Sequence, residues 1–145
     1  MSICTFFGHR DCSDSIEPKL REVIIDLIEN HSVDMFYVGR QGAFDRMVRS
    51  VLKELASAYP QISYAVVLER VPPKRGELDT YDFSDTMLPA GIENAPPRFA
   101  VSRRNEWMLK RADYVVTYVI YPCGGAARFA RMAKSRKKLV IDLAP

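Results

Sequence analysis

Apolar runs of strand length alternate along this chain with stretches whose apolar residues recur at helical spacing. The runs are ICTFFG (3–8), MFYVG (35–39), ISYAVVL (62–68), DYVVTYVIY (113–121) and KLVIDL (138–143). Each is apolar at consecutive positions, so each needs cover on both faces. Strands interleaved with helices meet that need by pairing in parallel, with the helices as crossovers on either side. The expected fold class is therefore α/β, a mainly parallel sheet of about five strands within a single domain over residues 1–145. A chain of this length buries about 68–70% of the surface its unfolded form exposes, enough for a self-sufficient core.

The helical stretches carry their own signals. After Ser15, read as a cap, Ile16, Leu20, Val23, Ile24, Leu27 and Ile28 fall on one face, with Glu17 and Pro18 in a permissive first turn. Phe44, Met47, Val48, Val51, Leu52 and Leu55 form a second apolar face that Pro60 stops. Residues 98–112 and 124–137 read as two further helices. Between them and the third strand, residues 69–98 are rich in proline and acid and lack either periodicity. A connection of that length in a compact domain is functional or disordered; it reads either as a lid in which Tyr81 or Phe83 closes over a ligand or, more often for aromatic residues in a long loop, as a segment that Tyr81, Phe83 and Met87 pin to the body.

Composition excludes several classes. The longest apolar runs are strand-length, which gives no membrane span and no signal peptide, so a cytoplasmic protein without a membrane partner is expected. Cys4, Cys12 and Cys123 are odd in number and form no ligand cluster, so no metal site is expected. The net charge of +3 conceals an asymmetry: ten basic and fifteen acidic residues precede Arg98, whereas eleven basic and three acidic ones lie from Arg98 onward. The C-terminal third therefore either faces an anionic partner or carries a solvated, lysine-rich helix end.

In a parallel sheet, ligands sit beyond the carboxyl ends of the strands, so function is sought in the strand-to-helix turns. FFGHRD places Gly8, His9 and Arg10 after the first strand: glycine for close backbone approach, two side chains that can donate to an anion. A lone histidine there is more often a structural hydrogen-bonding residue than a general base. GRQGAFD places Gly39, Arg40, Gln41 and Gly42 before a helix whose N-terminal amides suit phosphate, with Arg40 adding full charge. Asp45 could accept from a ribose hydroxyl or simply complement the helix dipole. SRRNEWMLKRAD offers Arg103, Arg104 and Asn105 as a clamp for a phosphate or a base edge, with Trp107, Met108 and Leu109 read as core. YPCGGAARFA repeats the cradle with Gly124, Gly125 and Ala126, and puts Cys123 at a helix N-terminus, where a thiolate is favoured.

Taken in order, Gly8-His9-Arg10, Gly39 with Asp45 six residues later, Arg104-Asn105 before an Asp113-led strand, and Gly124-Gly125 resemble the SLOG superfamily. That group unites the domain of the DNA-processing protein A family, the LOG-type nucleotide phosphoribohydrolases and small single-domain bacterial proteins. The resemblance spans nearly the whole chain and implies a Rossmann-like three-layer sandwich, a nucleotide-derived ligand over the glycine turns, and often a homodimer. Two positions depart from the pattern. Ala43 stands where the family has its second glycine, displaced here to Gly42, and GGAARFARMAKS has no counterpart of the catalytic glutamate of the LOG-type hydrolases.

Three functions follow as expectations. The first is a module that binds or senses a nucleotide-derived small molecule. The second is an N-glycosidic hydrolase acting on a nucleoside phosphate, with Glu69, Asp82 or Asp85 replacing the absent glutamate. The third is a single-stranded nucleic-acid binder using the basic C-terminal third. The missing glutamate tilts the expectation away from an enzyme.

Overall fold

A computed structural model describes residues 1–70 and 86–144. Its sheet has six parallel strands: β1 (Ser2–Gly8), β2 (Val33–Val38), β3 (Ser63–Val67), β4 (Thr86–Met87), β5 (Tyr114–Tyr118) and β6 (Leu139–Asp142), in the order β4-β3-β2-β1-β5-β6. The helices are α1 (Glu17–His31), α2 (Gly42–Ala58), α3 (Ala100–Arg111) and α4 (Gly125–Ser135). This is a Rossmann-like α/β fold, as the alternation of strand and helix signals implies.

Side-chain alternation along the strands divides the core in two. Phe6, Phe36, Val38, Val66, Val116 and Tyr118 pack with Leu20, Ile24 and Leu27 of α1 and with Phe44, Val48, Val51 and Leu52 of α2. The intervening residues Phe7, Val67 and Val115 pack with Met108 and Leu109 of α3 and Phe129 and Ala133 of α4. The period of two sends successive side chains to opposite helical layers, which is why the strands read as continuously apolar.

Element ends follow local chemistry, with some departures from expectation. Ser13, not Ser15, supplies the cap: its hydroxyl accepts from the Ser15 amide and closes a 3-10 turn, Asp14–Ile16, that leads into α1. Ser32 in a left-handed conformation ends α1, its amide bonded to Leu27 O. β5 is shorter than its apolar run. It ends at Tyr118, because the amides of Ile120 and Tyr121 turn away from the sheet to donate to His9. β4 was not expected at all; it sits on the sheet edge, where the Leu68 amide donates to Met87 O. Tyr81, Asp82, Phe83 and Asp85 lie outside the described residues. Among the described residues, no helix is long and apolar enough to cross a membrane.

β1 is the centre of the sheet, paired with β2 on one side and β5 on the other. The strand order reverses there, so the helices that follow β1 and β5 lie on opposite layers. A crevice opens between them at the carboxyl end.

Candidate functional site

That crevice is a cavity of about 260 Å3. Its wall is assembled from four places: Gly8, His9 and Arg10 at the end of β1, Gln41 and Asp45 at the start of α2, Arg104 and Asn105 on α3, and Gly125 and Ala126 at the start of α4. Nine of the thirteen residues anticipated at the turns thus meet around one space. Gly39, Arg40, Gly42 and the exposed Gly124 are not among the lining residues.

Two of these glycines have particular reasons. A Cβ on Gly39 would lie 2.6 Å from Arg104 Nη1, so this position is hollowed for the guanidinium and not for a turn. Gly42 has φ of 85°, and a Cβ there would meet the Arg10 backbone at 2.5 Å. That closeness lets the Ala43 amide bond Arg10 O at 2.8 Å, tying the first two turns together.

Arg104 and Arg40 do not act as the free cations their sequence positions imply. Arg104 is 1% exposed; Nη1 donates to Val67 O at 3.0 Å and Nε to Asn105 Oδ1 at 2.8 Å. Arg40 is chelated by Glu69, with Nε 3.1 Å from both carboxylate oxygens and Nη2 2.9 Å from Oε1. Glu69 Oε2 also lies 3.7 Å from Arg104 Nη1. Burial alone would raise the Glu69 carboxyl, but the Arg40 hydrogen bonds and the Arg104 charge outweigh it and hold Glu69 below its ordinary value. Glu69, anticipated as a replacement catalytic carboxylate, is instead the counter-ion of two arginines.

Asp45 behaves differently. It is 7% exposed, and burial pushes its carboxyl up to about 6 against the opposing pull of Arg104, the Gln41 amide, Arg49 and Arg10. Oδ2 accepts from the Gln41 amide at 2.8 Å, the only hydrogen bond the side chain makes among the described residues. The bond satisfies the backbone amide of Gln41, the residue just before α2, and leaves Oδ1 without a hydrogen bond among the described residues.

His9 is a structural pin. Its Nε2 accepts from Ile120 N at 2.9 Å and Tyr121 N at 3.1 Å, so the ring is neutral with its proton on Nδ1, and it fastens the β5–α4 turn to β1. Cys123 is exposed just before Gly124, whose φ of 97° opens α4. Arg103 does not line this cavity; it lines a separate one with Trp107 and Pro89.

The apolar part of the site went unrecognised in the sequence. Phe6, Phe7, Val101 and Met108 complete the wall. Val101, Arg104, Asn105 and Met108 are spaced i, i+3, i+4 and i+7, one helical face that mixes apolar and polar groups, and that spacing was the available signal.

No protein-family model matches the chain, and no curated protein matches it. Among solved structures, the molybdenum cofactor carrier protein from Chlamydomonas reinhardtii is similar, with a TM-score of 0.63 and 16% sequence identity; the match covers 100% of this chain and 79% of the other. At that identity, the likeness shows a common fold.

Proposed function

We propose that the chain binds a small, phosphate-bearing, nucleotide-derived ligand in the cavity between the β1 and β5 turns. The observation that carries this reading is the meeting of three strand-to-helix turns and one face of α3 around one crevice at the point where strand order reverses. In this reading the ligand's phosphate lies at the mouth, on the α4 N-terminus at Gly125 and Ala126 and near the exposed Arg10. The SLOG resemblance supports the nucleotide class. A cofactor carrier with this fold supports holding a ligand over converting it. The side chains point the same way: Glu69 is neutralised by arginines and His9 Nε2 is already engaged. The binding module therefore takes precedence over the hydrolase and the nucleic-acid binder.

Gly125→Val tests it. A Cβ at Gly125 meets nothing within 4 Å, so the larger side chain enters the cavity mouth without disturbing the fold. A mononucleotide at 100 times its Kd stabilises its binder by about 2.7 kcal/mol. Thermal melts of the native chain should show that shift, and those of Gly125→Val should lose it at unchanged ligand-free Tm. Equal shifts in both proteins would refute the placement, and release of free base during incubation would restore the hydrolase.

A further inference from the structure

We infer that the innermost part of the ligand is a flat nitrogen heterocycle with a lactam-type edge, an N–H beside a C=O, and that Asp45 is the residue that selects it. This deepens the binding reading above and rests on it. Three observations converge on the interior of the cavity.

The first is a pair of polar groups with capacity to spare. Asp45 is nine-tenths buried and lines the cavity with Oδ1 unpartnered, an acceptor that a ligand N–H can fill. Asn105 lines the same cavity, and its orientation is fixed because Oδ1 accepts from Arg104 Nε. Its amide N–H2 group is thereby left as a donor, able to serve a ligand carbonyl. An acceptor from α2 and a donor from α3 lining one cavity complement an N–H and a C=O on one ring.

The second is the character of the remaining wall. Val101 and Met108 on one face of α3, with the end of β1 at Phe6 and Phe7, make up the rest of the lining. A flat unsaturated ring rests against such surfaces at no polar cost. A sugar ring would press hydroxyl groups against them without partners, at a penalty of about 1–3 kcal/mol each.

The third is charge. Arg40 and Arg104 are set against Glu69, and Arg104 also faces Asp45, so these two guanidiniums already hold carboxylates in the interior. The exposed Arg10 and the α4 N-terminus lie at the mouth. A ligand that enters ring first leaves its phosphate there, and a volume of about 260 Å3 holds a ring system but not a whole dinucleotide.

The probes are GMP and IMP, which carry the lactam edge, AMP, which reverses donor and acceptor, and N1-methyl-GMP, which removes the N–H. Calorimetric titration of the native chain should rank GMP and IMP about tenfold or more tighter than the other two, since a buried acceptor left unpaired penalises the wrong edge. In Asp45→Asn, whose amide oxygen can still cap Gln41, that preference should fall to within about twofold. GMP affinity of the native chain should also weaken between pH 7.5 and pH 5, as Asp45 takes up a proton. Its charged and titratable surroundings are Arg49 on α2, Arg104 on α3, and His9 and Arg10 after β1. Any pH effect of His9 persists in Asp45→Asn, so the difference between the two proteins isolates Asp45. Equal binding of all four nucleotides to the native chain would overturn the lactam assignment while leaving the binding reading intact. Failure of every mononucleotide to bind would overturn both. The native ranking decides the matter even if Asp45→Asn does not fold.

Discussion

Gly39→Ala is a sharp test of how the site is held, because the backbone gives it no reason to matter. Gly39 is not among the positive-φ glycines, so alanine fits its conformation and should stabilise by about 0.4–1 kcal/mol through the unfolded chain. The added methyl, however, would stand 2.6–2.8 Å from Nη1, Cζ and Nη2 of Arg104. Reaching an ordinary contact of 3.4 Å requires a shift of 0.8 Å at Nη1. A flexible arginine would yield, but this one is 1% exposed and bonded to Val67 O at 3.0 Å. A displacement of that size breaks the bond or strains the strand, and a hydrogen bond to a charged group is worth about 1.5–3 kcal/mol. The net expectation is a loss of about 2 kcal/mol from a domain total of about 5–15 kcal/mol. Urea denaturation measures it, and the same change in an Arg104→Met background isolates the cause. There the methyl has room, so Gly39→Ala should become neutral or slightly stabilising, a coupling of about 2 kcal/mol. The same cost in both backgrounds would refute the reasoning.

Three further outcomes are expected. Asp45 has a folded pKa of about 6 above its ordinary 3.8, so its protonated form favours the fold. That contribution, about 3 kcal/mol, is present below about pH 4 and lost as pH rises through 6. Asp45→Asn lacks that slope, so in urea melts without ligand it should gain on the native chain between pH 4 and pH 7; parallel slopes would contradict the assignment. Glu69→Gln leaves Arg40 and Arg104 without their shared buried counter-charge and should cost about 3 kcal/mol by denaturation, whereas a cost below about 0.5 kcal/mol would mean the guanidiniums are well solvated. Gly8→Ala drives a Cβ into the fully buried Phe44 ring, and its Tm should fall by about 2–4 °C for each kcal/mol lost in a chain of this length; a Tm unchanged within 1 °C would show that Phe44 swings aside.

The parallel, doubly covered sheet was legible because burial on both faces writes itself into consecutive apolar residues such as Phe6-Phe7 and Val115-Val116. β4 was not legible, since two residues held by a bond from Leu68 to Met87 have no periodicity to read. The strand at residues 113–121 was overextended for a related reason: His9, far away in sequence, claims the amides of Ile120 and Tyr121. The turns were found because glycine beside a strand end is a local signal. The partners of Arg40 and Arg104 were not, because Glu69 meets them only through the fold, and an arginine at a turn looks the same in sequence whether it awaits an anion or already holds one. The apolar walls were hidden by their own ordinariness, as Phe6 and Met108 read simply as core.

Two glycines at the carboxyl end of the sheet are moulds of particular side chains: Gly39 of Arg104 and Gly8 of Phe44. Such pairs constrain the order in which mutations can accumulate in a lineage. Position 104 must first lose its guanidinium before position 39 can gain a methyl, and the reverse order passes through a weakened protein. Descendants of this chain should therefore trade Gly39 and Arg104 as a unit, so that a side chain larger than hydrogen at position 39 signals that the seat of the buried guanidinium has been rebuilt.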